Sequence, residues 1–484
     1  MSENSEHDGD RCDFCDEEEG MDEECSDDAS GGLEVPGESS DPRLITTDED
    51  LKVYICGPPD AERCAQAFRN IGSVPAEQRP MLQHFYYQPK SVDIQGSMPE
   101  LITMLNNGGH VLVPMRERSK DKRSIVHGVL KYLTSRVLPR RIFVANCGST
   151  EDVLQGLAEF WPMGVVLTDH TAMLSMIDWD RLLPILSLDR RPETGKGITI
   201  LSGMLGLYLL HRGAPAVIQH DADLRNPEEC DALAHLAYPL IQRQQKANAR
   251  YLYVKTSRAG RGNETCMTAR NILGDIASNT RTPPDVAAIA VHLNRTLREH
   301  KWMCSGEFGL FGKLAYNRPY ATGYLEETLI SIFVEECIRY CPTGNPEAIA
   351  QVQCPKRLDD SNNDTKEFLM QDRIARFLVE YCWFGKPVVH WTLEDYASFN
   401  RRFGSLIESA RIPTRADDDA SRTEEDDDNN RRAMSGPVII DHVKQDRIIP
   451  SVKDLFRYDL IRMDMAEEFM RDPKAYMEKY ARET

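Results

Sequence analysis

Between His110 and Asp223 the chain alternates short apolar runs with longer helix-forming stretches, and this alternation constrains its fold more than any other feature. His110-Val111-Leu112-Val113-Pro114, Arg141-Ile142-Phe143-Val144-Ala145-Asn146, Gly164-Val165-Val166-Leu167 and Ala216-Val217-Ile218-Gln219-His220 are short, bounded and mostly β-branched or aliphatic. Runs of that kind read as buried strands. Between them the pattern predicts a helix ending near Ser135, a helix from Val153 to Phe160 behind the capping run Ser149-Thr150-Glu151-Asp152, and an apolar helix from Ile198 to His211. Strands separated by such helices predict an α/β fold around a mostly parallel sheet.

The strand Ala216–His220 runs directly into Asp221-Ala222-Asp223. In extended chain, residues two apart share a face, so both carboxylates would project from the strand's carboxyl end, where open α/β sheets bind ligands. Two carboxylates beside an anionic ligand require a cation between them, and oxygen donors select a hard divalent ion such as Mg²⁺ or Mn²⁺. Twenty-five residues earlier, Lys196 lies in Thr194-Gly195-Lys196-Gly197 at the mouth of the apolar helix. Glycines let a phosphate approach the backbone, the helix N-terminus offers free N–H groups, and the lysine adds a point charge. The upstream glycine and following Ser/Thr of a Walker loop are absent.

The net charge of −19 does not describe the working surface. Twenty acidic residues against Arg11 and Arg43 fall within residues 1–50, leaving the other 434 nearly neutral. A nucleic-acid partner is therefore not expected. The acidic, Ser- and Gly-rich first fifty residues are predicted to be a disordered tail, and 412–437, with Asp417-Asp418-Asp419 and the run from Glu424 to Asp428, a disordered acidic linker. Cys12 and Cys15 form a single C-x-x-C, with Cys25 nearby but no second pair, which falls short of a zinc site. Thirteen scattered cysteines, no secretory signal and no apolar run long enough to span a bilayer predict a cytoplasmic protein without a membrane partner.

Residues 51–109 read as an N-terminal extension packed on the core, with a strand candidate at Lys52-Val53-Tyr54-Ile55-Cys56. Residues 110–411 form the main domain. Residues 438–484 return to helical periodicity through Leu455, Tyr458, Leu460, Ile461, Met463 and Met465, and are expected to dock back on it.

Taken in order, Pro114-Met115-Arg116-Glu117-Arg118, Asn146-Cys147-Gly148-Ser149-Thr150, Gly195-Lys196-Gly197 and Asp221-Ala222-Asp223 resemble the landmarks of GT-A nucleotide-sugar glycosyltransferases. Ala259-Gly260-Arg261-Gly262-Asn263-Glu264 with Ala269-Arg270-Asn271 resembles the acceptor loop of enzymes that glycosylate 3-phosphoglycerate. Ser305-Gly306-Glu307-Phe308 and the segment from Pro319 to Glu326 resemble their "GE" and "PFA.GY..E" elements, and Ile349-Ala350-Gln351-Val352 the strand before their last metal ligand. The resemblance runs from Gly109 to Lys366 and, with the early extension, is to the mannosyl-3-phosphoglycerate synthase family, a relative of the glucosyl-3-phosphoglycerate synthases.

That resemblance implies a GT-A, Rossmann-like mixed sheet flanked by helices, and retaining transfer of mannose from GDP-mannose to 3-phosphoglycerate with Mg²⁺ or Mn²⁺. It implies that Pro114, Arg116, Glu117, Asn146 and Ser149 hold the nucleoside, Lys196 the diphosphate, and Asp221 the ribose. Asp223 would ligate the metal, assisted by Asp221. Arg261, Asn263 and Arg270 would bind the acceptor, with Gly306 and Glu307 at the transferred sugar or the acceptor hydroxyl. Asp223, Lys196 and Glu307 are thus the catalytic candidates, and a homodimer is implied.

The chain departs from the family at Lys356-Arg357-Leu358-Asp359-Asp360-Ser361, where family members carry a metal-binding histidine, and Asp359 or Asp360 would have to replace it. Asn146-Cys147 also replaces a more usual acidic or Asn-Ser pair. Glucosyl transfer, another anionic acceptor, and a catalytically silent scaffold with a binding or regulatory role are the alternatives.

Overall fold

The computed structural model describes residues 66, 68–70, 83–87, 99, 102–103, 105–116, 123–192, 195–211, 216–231, 233–236, 250–256, 263–300, 306–311, 314–323, 325–340, 347–354, 364–408 and 446–480. Within these, the side chains of 83–87, 230, 250–252, 263–268, 311, 338–340, 347–348, 364–372 and 406–408 are not described. The acidic tail, the Lys52–Cys56 strand candidate, the 412–437 linker, Glu117, Arg261 and both Asp359 and Asp360 lie outside the described residues.

Among the described residues, eight strands form one sheet: β1 (Gln83–Tyr87), β2 (His110–Met115), β3 (Ile142–Asn146), β4 (Val166–Asp169), β5 (Ala216–Gln219), β6 (Arg250–Thr256), β7 (Phe308–Phe311) and β9 (Glu347–Val352), in the order β1-β9-β6-β7-β5-β2-β3-β4. Every pairing is parallel except those of β7, which runs antiparallel to β5 and β6. The sheet is therefore mixed, with helices packed on both faces. Strand alternation sorts its side chains: Val111, Val113, Ile142, Val144 and Ile218 enter one core with Val126, Val129 and Leu133 of α1 (Arg123–Arg136). Leu112, Phe143, Ala145 and Val217 enter the other, with Ile200, Leu201, Met204 and Leu205 of the helix that precedes β5.

That second helix, Lys196–Leu210, is designated α3, the short helix His170–Leu174 that follows β4 being α2. Twelve of the fifteen α3 residues are buried, which its nearly unbroken apolar sequence requires. Its N-terminus lies under β8 (Tyr320–Ala321), and the contact needs glycine. A Cβ at Gly197 would come within 1.4 Å of the Ala321 carbonyl oxygen, and one at Gly195, where φ is 148°, within 2.0 Å of that of Thr322.

Three sequence expectations shift. The Val153–Phe160 helix is an α-helix over Glu151–Gln155 followed by a 3₁₀ turn over Ala158–Phe160. The break falls at Gly156, where the Arg123 side chain occupies the space a Cβ would need. The third strand begins at Val166 because Gly164, at φ 104°, closes a turn in which the Val165 amide donates to the Phe160 carbonyl. Finally, the 51–109 extension does more than pack on the core: its Gln83–Tyr87 strand pairs in parallel with β9 and is one edge of the sheet.

The C-terminal segment does dock back. β10 (Ile448–Ile449) pairs antiparallel with β8, the Asp178 amide donates to the Leu460 carbonyl at 2.9 Å, and the Arg462 amide to that of Met176 at 2.7 Å. Tyr476 donates from its hydroxyl to the Ala172 carbonyl at 3.0 Å. Among the described residues, no helix is long and apolar enough to cross a membrane.

Candidate functional site

The antiparallel insertion of β7 builds the site. Because β7 runs against its neighbours, its entry residues lie beside their exits: Phe308 pairs with Gln219 at the carboxyl end of β5 and with Lys255 near that of β6. Gly306 and Glu307, just before β7, are thereby carried to the residues that follow those strands. The Gln219 amide nitrogen donates to the Gly306 carbonyl at 2.7 Å, and the Thr256 amide to the Glu307 carbonyl at 3.3 Å.

Four sequence-predicted residues converge here. Lys196, at the first turn of α3, donates from Nζ to Asp221 Oδ1 at 3.2 Å. Gly306 faces both, since a Cβ on it would lie 2.4 Å from the Asp221 carboxylate oxygens and from Lys196 Nζ. Glu307, fully buried, has Oε2 3.4 Å from the Thr256 hydroxyl and Oε1 3.8 Å from His220 Nδ1. His220 Nδ1 lies 2.8 Å from the Asp221 carbonyl oxygen, so its N–H fixes the backbone just where the strand ends.

A further carboxylate, which the sequence reading passed over, completes the cluster. Glu327 Oε1 accepts from Lys196 Nζ at 2.6 Å. It belongs to the first turn of α6 (Glu326–Tyr340), α4 (Asn263–Ser278) and α5 (Pro284–Glu299) being the long helices between β6 and β7. The motif-matching residue, Glu326, has a different task. Its Oε2 accepts the Ala321 amide at 2.9 Å and its Oε1 pairs with the buried guanidinium of Arg318. Adjacent acids at a helix N-terminus both favour the helix dipole, and sequence offers no signal for which of them turns into the site.

The nucleoside candidates divide. Pro114 is half-buried within β2 and Arg116 is exposed just beyond it. Asn146 closes β3, but its side chain is used internally, donating to Asp169 Oδ2 at 3.2 Å and accepting the Ser149 amide at 3.0 Å. It therefore shapes the loop on which half-buried Ser149 is carried. Next to it, Cys147 is fully buried. Burial pushes its thiol up, but a hydrogen bond and charge from His170, with bonds from the Thr199 hydroxyl and the Gly195 backbone, more than offset this and hold it below the usual thiol range.

Asp223 follows in the turn after Asp221, half-buried. Asn263 begins α4, its side chain not among those described. Arg270, expected at the acceptor, is engaged in helix packing: its Nη2 donates to the Leu297 carbonyl near the end of α5 at 3.2 Å, while its own carbonyl accepts from Asn294 Nδ2 at 3.1 Å. Among the described residues no group of three or more His, Cys, Asp or Glu side chains could hold a metal ion by itself.

Neither family models nor curated protein sequences match the chain. Solved structures do. Glucosyl-3-phosphoglycerate synthase from Mycobacterium tuberculosis, in complex with Mn²⁺ and UDP-glucose, matches with 18% identity and a TM-score of 0.40 over 62% of this chain and 87% of that one. The same enzyme with Mg²⁺ and UDP matches with 18% identity and a TM-score of 0.42 over 63% and 88%, and with Mn²⁺, UDP and phosphoglyceric acid with 19% and 0.41 over 62% and 86%. At such scores the likeness says nothing about substrate, and what this chain can do has to come from Lys196, Asp221, Gly306, Glu307 and Glu327.

Proposed function

We propose that this site transfers a hexosyl group from a nucleoside-diphosphate sugar to the hydroxyl of a small phosphorylated hydroxy acid, with retention at the anomeric carbon and with Mg²⁺ or Mn²⁺. The substrate pair we favour is GDP-mannose and 3-phosphoglycerate, as in a mannosyl-3-phosphoglycerate synthase-like hexosyltransferase of the cytoplasm. One observation carries the reading: a lysine at a helix N-terminus meets the carboxylate at a strand's carboxyl end, and a glycine packs directly against both charged ends.

The donor set suits a hard cation. Asp221 and Glu327 already hold one, the Lys196 ammonium, through oxygens alone. Mg²⁺ commonly takes one or two carboxylates and completes its shell with substrate phosphates and water, so a site without three convergent protein ligands is consistent with it. Asp223 and Asp221 are the assigned ligands on the described chain, and Asp360 is the proposed replacement for the family's histidine. When bound, the ion would neutralise charge on the departing diphosphate.

The chain's own residues supply the remainder. Lys196, at the N-terminal end of the α3 dipole, stabilises the phosphate oxygens as the anomeric C–O bond breaks. Gly306 admits the sugar next to Asp221. Glu307, held by Thr256 and His220, orients the sugar or the acceptor hydroxyl, whose oxygen forms the new bond on the face the diphosphate leaves while its proton passes to a departing phosphate oxygen. Arg261, together with Asn263 at the start of α4, is assigned to the acceptor's phosphate and carboxylate.

The test is mass spectrometry of products after incubating the protein with Mg²⁺, 3-phosphoglycerate, and GDP-mannose or UDP-glucose in parallel. A hexosyl-phosphoglycerate from GDP-mannose supports the full reading, and one from UDP-glucose alone replaces the donor. No product from either, with nucleotide still bound, rejects 3-phosphoglycerate as the acceptor.

A further inference from the structure

We infer that Glu327 is a positioning residue that locks Lys196 and so makes diphosphate binding depend on a divalent cation; this rests on the nucleotide-sugar reading above. The ammonium of Lys196 is shared between Asp221 at 3.2 Å and Glu327 at 2.6 Å, and the nearer partner is the one that no family motif marks. Two carboxylates against one ammonium leave the cluster net negative, with fully buried Glu307 just beyond Asp221. A diphosphate approaching this cluster meets like charge. Lys196 cannot turn to it without breaking its contacts to both carboxylates.

The three groups differ in freedom. Glu327 is 7% exposed at its side chain and lies on a helix turn fixed from both sides. Its neighbour Glu326 is bound to the Ala321 amide and to Arg318, and the Glu327 carbonyl accepts from the Ser331 hydroxyl at 2.9 Å. Asp221 is 6% exposed and adjoins a backbone carbonyl tied by His220. Lys196, 33% exposed on a flexible four-carbon stem, is the mobile member. Gly306 packs against both the ammonium and the Asp221 oxygens, so an incoming group meets the ammonium from its exposed side. A divalent cation held by the carboxylates would offset their charge and leave the ammonium to the phosphates. By linkage, cation and diphosphate then tighten each other's binding by the same factor.

The experiment is calorimetric titration of the full chain with GDP and with UDP, in MgCl₂ and in EDTA at matched ionic strength, for the wild type, Glu327→Gln and Glu327→Asp. Removing one negative charge at hydrogen-bond distance should tighten metal-free diphosphate binding about tenfold and shrink the Mg²⁺ effect by the same factor. Glu327→Asp, which keeps the charge, should restore the Mg²⁺ dependence. Should Glu327→Gln fail to fold, Lys196→Met reads the lock from its other side, and Mg²⁺ dependence should increase. Metal-free binding that is unchanged or weaker in Glu327→Gln, or Mg²⁺ dependence unchanged in Lys196→Met, overturns the lock while leaving the nucleotide site standing. Failure of the wild type to bind either nucleotide in either buffer overturns the nucleotide site and the lock with it.

Discussion

Gly306 faces Asp221 so closely that a single methyl group on it would reach within 2.4 Å of both carboxylate oxygens and of the Lys196 ammonium. The glycine is therefore part of the site's shape. Gly306→Ala should displace the carboxylate and the ammonium by a substantial fraction of an ångström and lower hexosyl transfer by about a hundredfold. Steady-state kinetics alongside a thermal melt check this; near-wild-type turnover would mean that nothing reacts at this face.

Asp223 carries the metal assignment on the described chain. Asp223→Ala should reduce transfer by on the order of 10²- to 10³-fold, with the melting temperature little changed because the side chain is half-buried in a turn. Titrating Mn²⁺ by electron paramagnetic resonance in the presence of GDP should show weaker ion binding in the variant. Undiminished Mn²⁺ affinity together with near-normal turnover would remove Asp223 from the site.

The Arg318–Glu326 pair is structural, and its loss should be read as stability. Both side chains are 1% exposed, and the Arg318 guanidinium also stacks on Tyr320 at 4.3 Å. Arg318→Met leaves a buried carboxylate unpaired and should cost about 3–5 kcal/mol in chemical denaturation. The double variant with Glu326→Gln should recover part of that loss, and strict additivity would show the two to be uncoupled.

Glu336 supplies a pH dependence of stability. Burial pushes its carboxyl up from 4.5 to about 8, partly offset by hydrogen bonds from the Tyr381 hydroxyl and the Val389 and Val388 amides. In this range the folded state keeps a proton that the unfolded chain has released. The contribution is fully present below the ordinary carboxyl pKa and is lost as pH rises toward 8. Glu336→Gln stays neutral throughout, so its stability relative to the wild type should grow by about 1.4 kcal/mol per pH unit across that window. Denaturation at pH 5 and pH 8 compares the two, and a constant difference would place the Glu336 carboxyl in the usual range.

What the amino-acid sequence determined by itself was local. Apolar runs of strand length and the uniformly apolar α3 dictate βα units, and their order places Lys196 at a helix mouth and Asp221 at a strand's end, whereas the expected cap at Thr150 makes no side-chain hydrogen bond. Hydrophobic burial and backbone hydrogen bonding act along short stretches, so those residues could be read from spacing. Tertiary structure decided what distant segments bring to them. Pairing β7 antiparallel between β5 and β6 delivers Gly306 and Glu307 to Asp221 and Thr256, although strand pairing is settled by contacts almost ninety residues apart that no local pattern encodes. The Gln83–Tyr87 edge strand depends on β9 in the same way. The rotation of one helix turn gave Glu326 to Arg318 and Glu327 to Lys196, and so separated two adjacent, chemically identical side chains into a structural ion pair and a site residue.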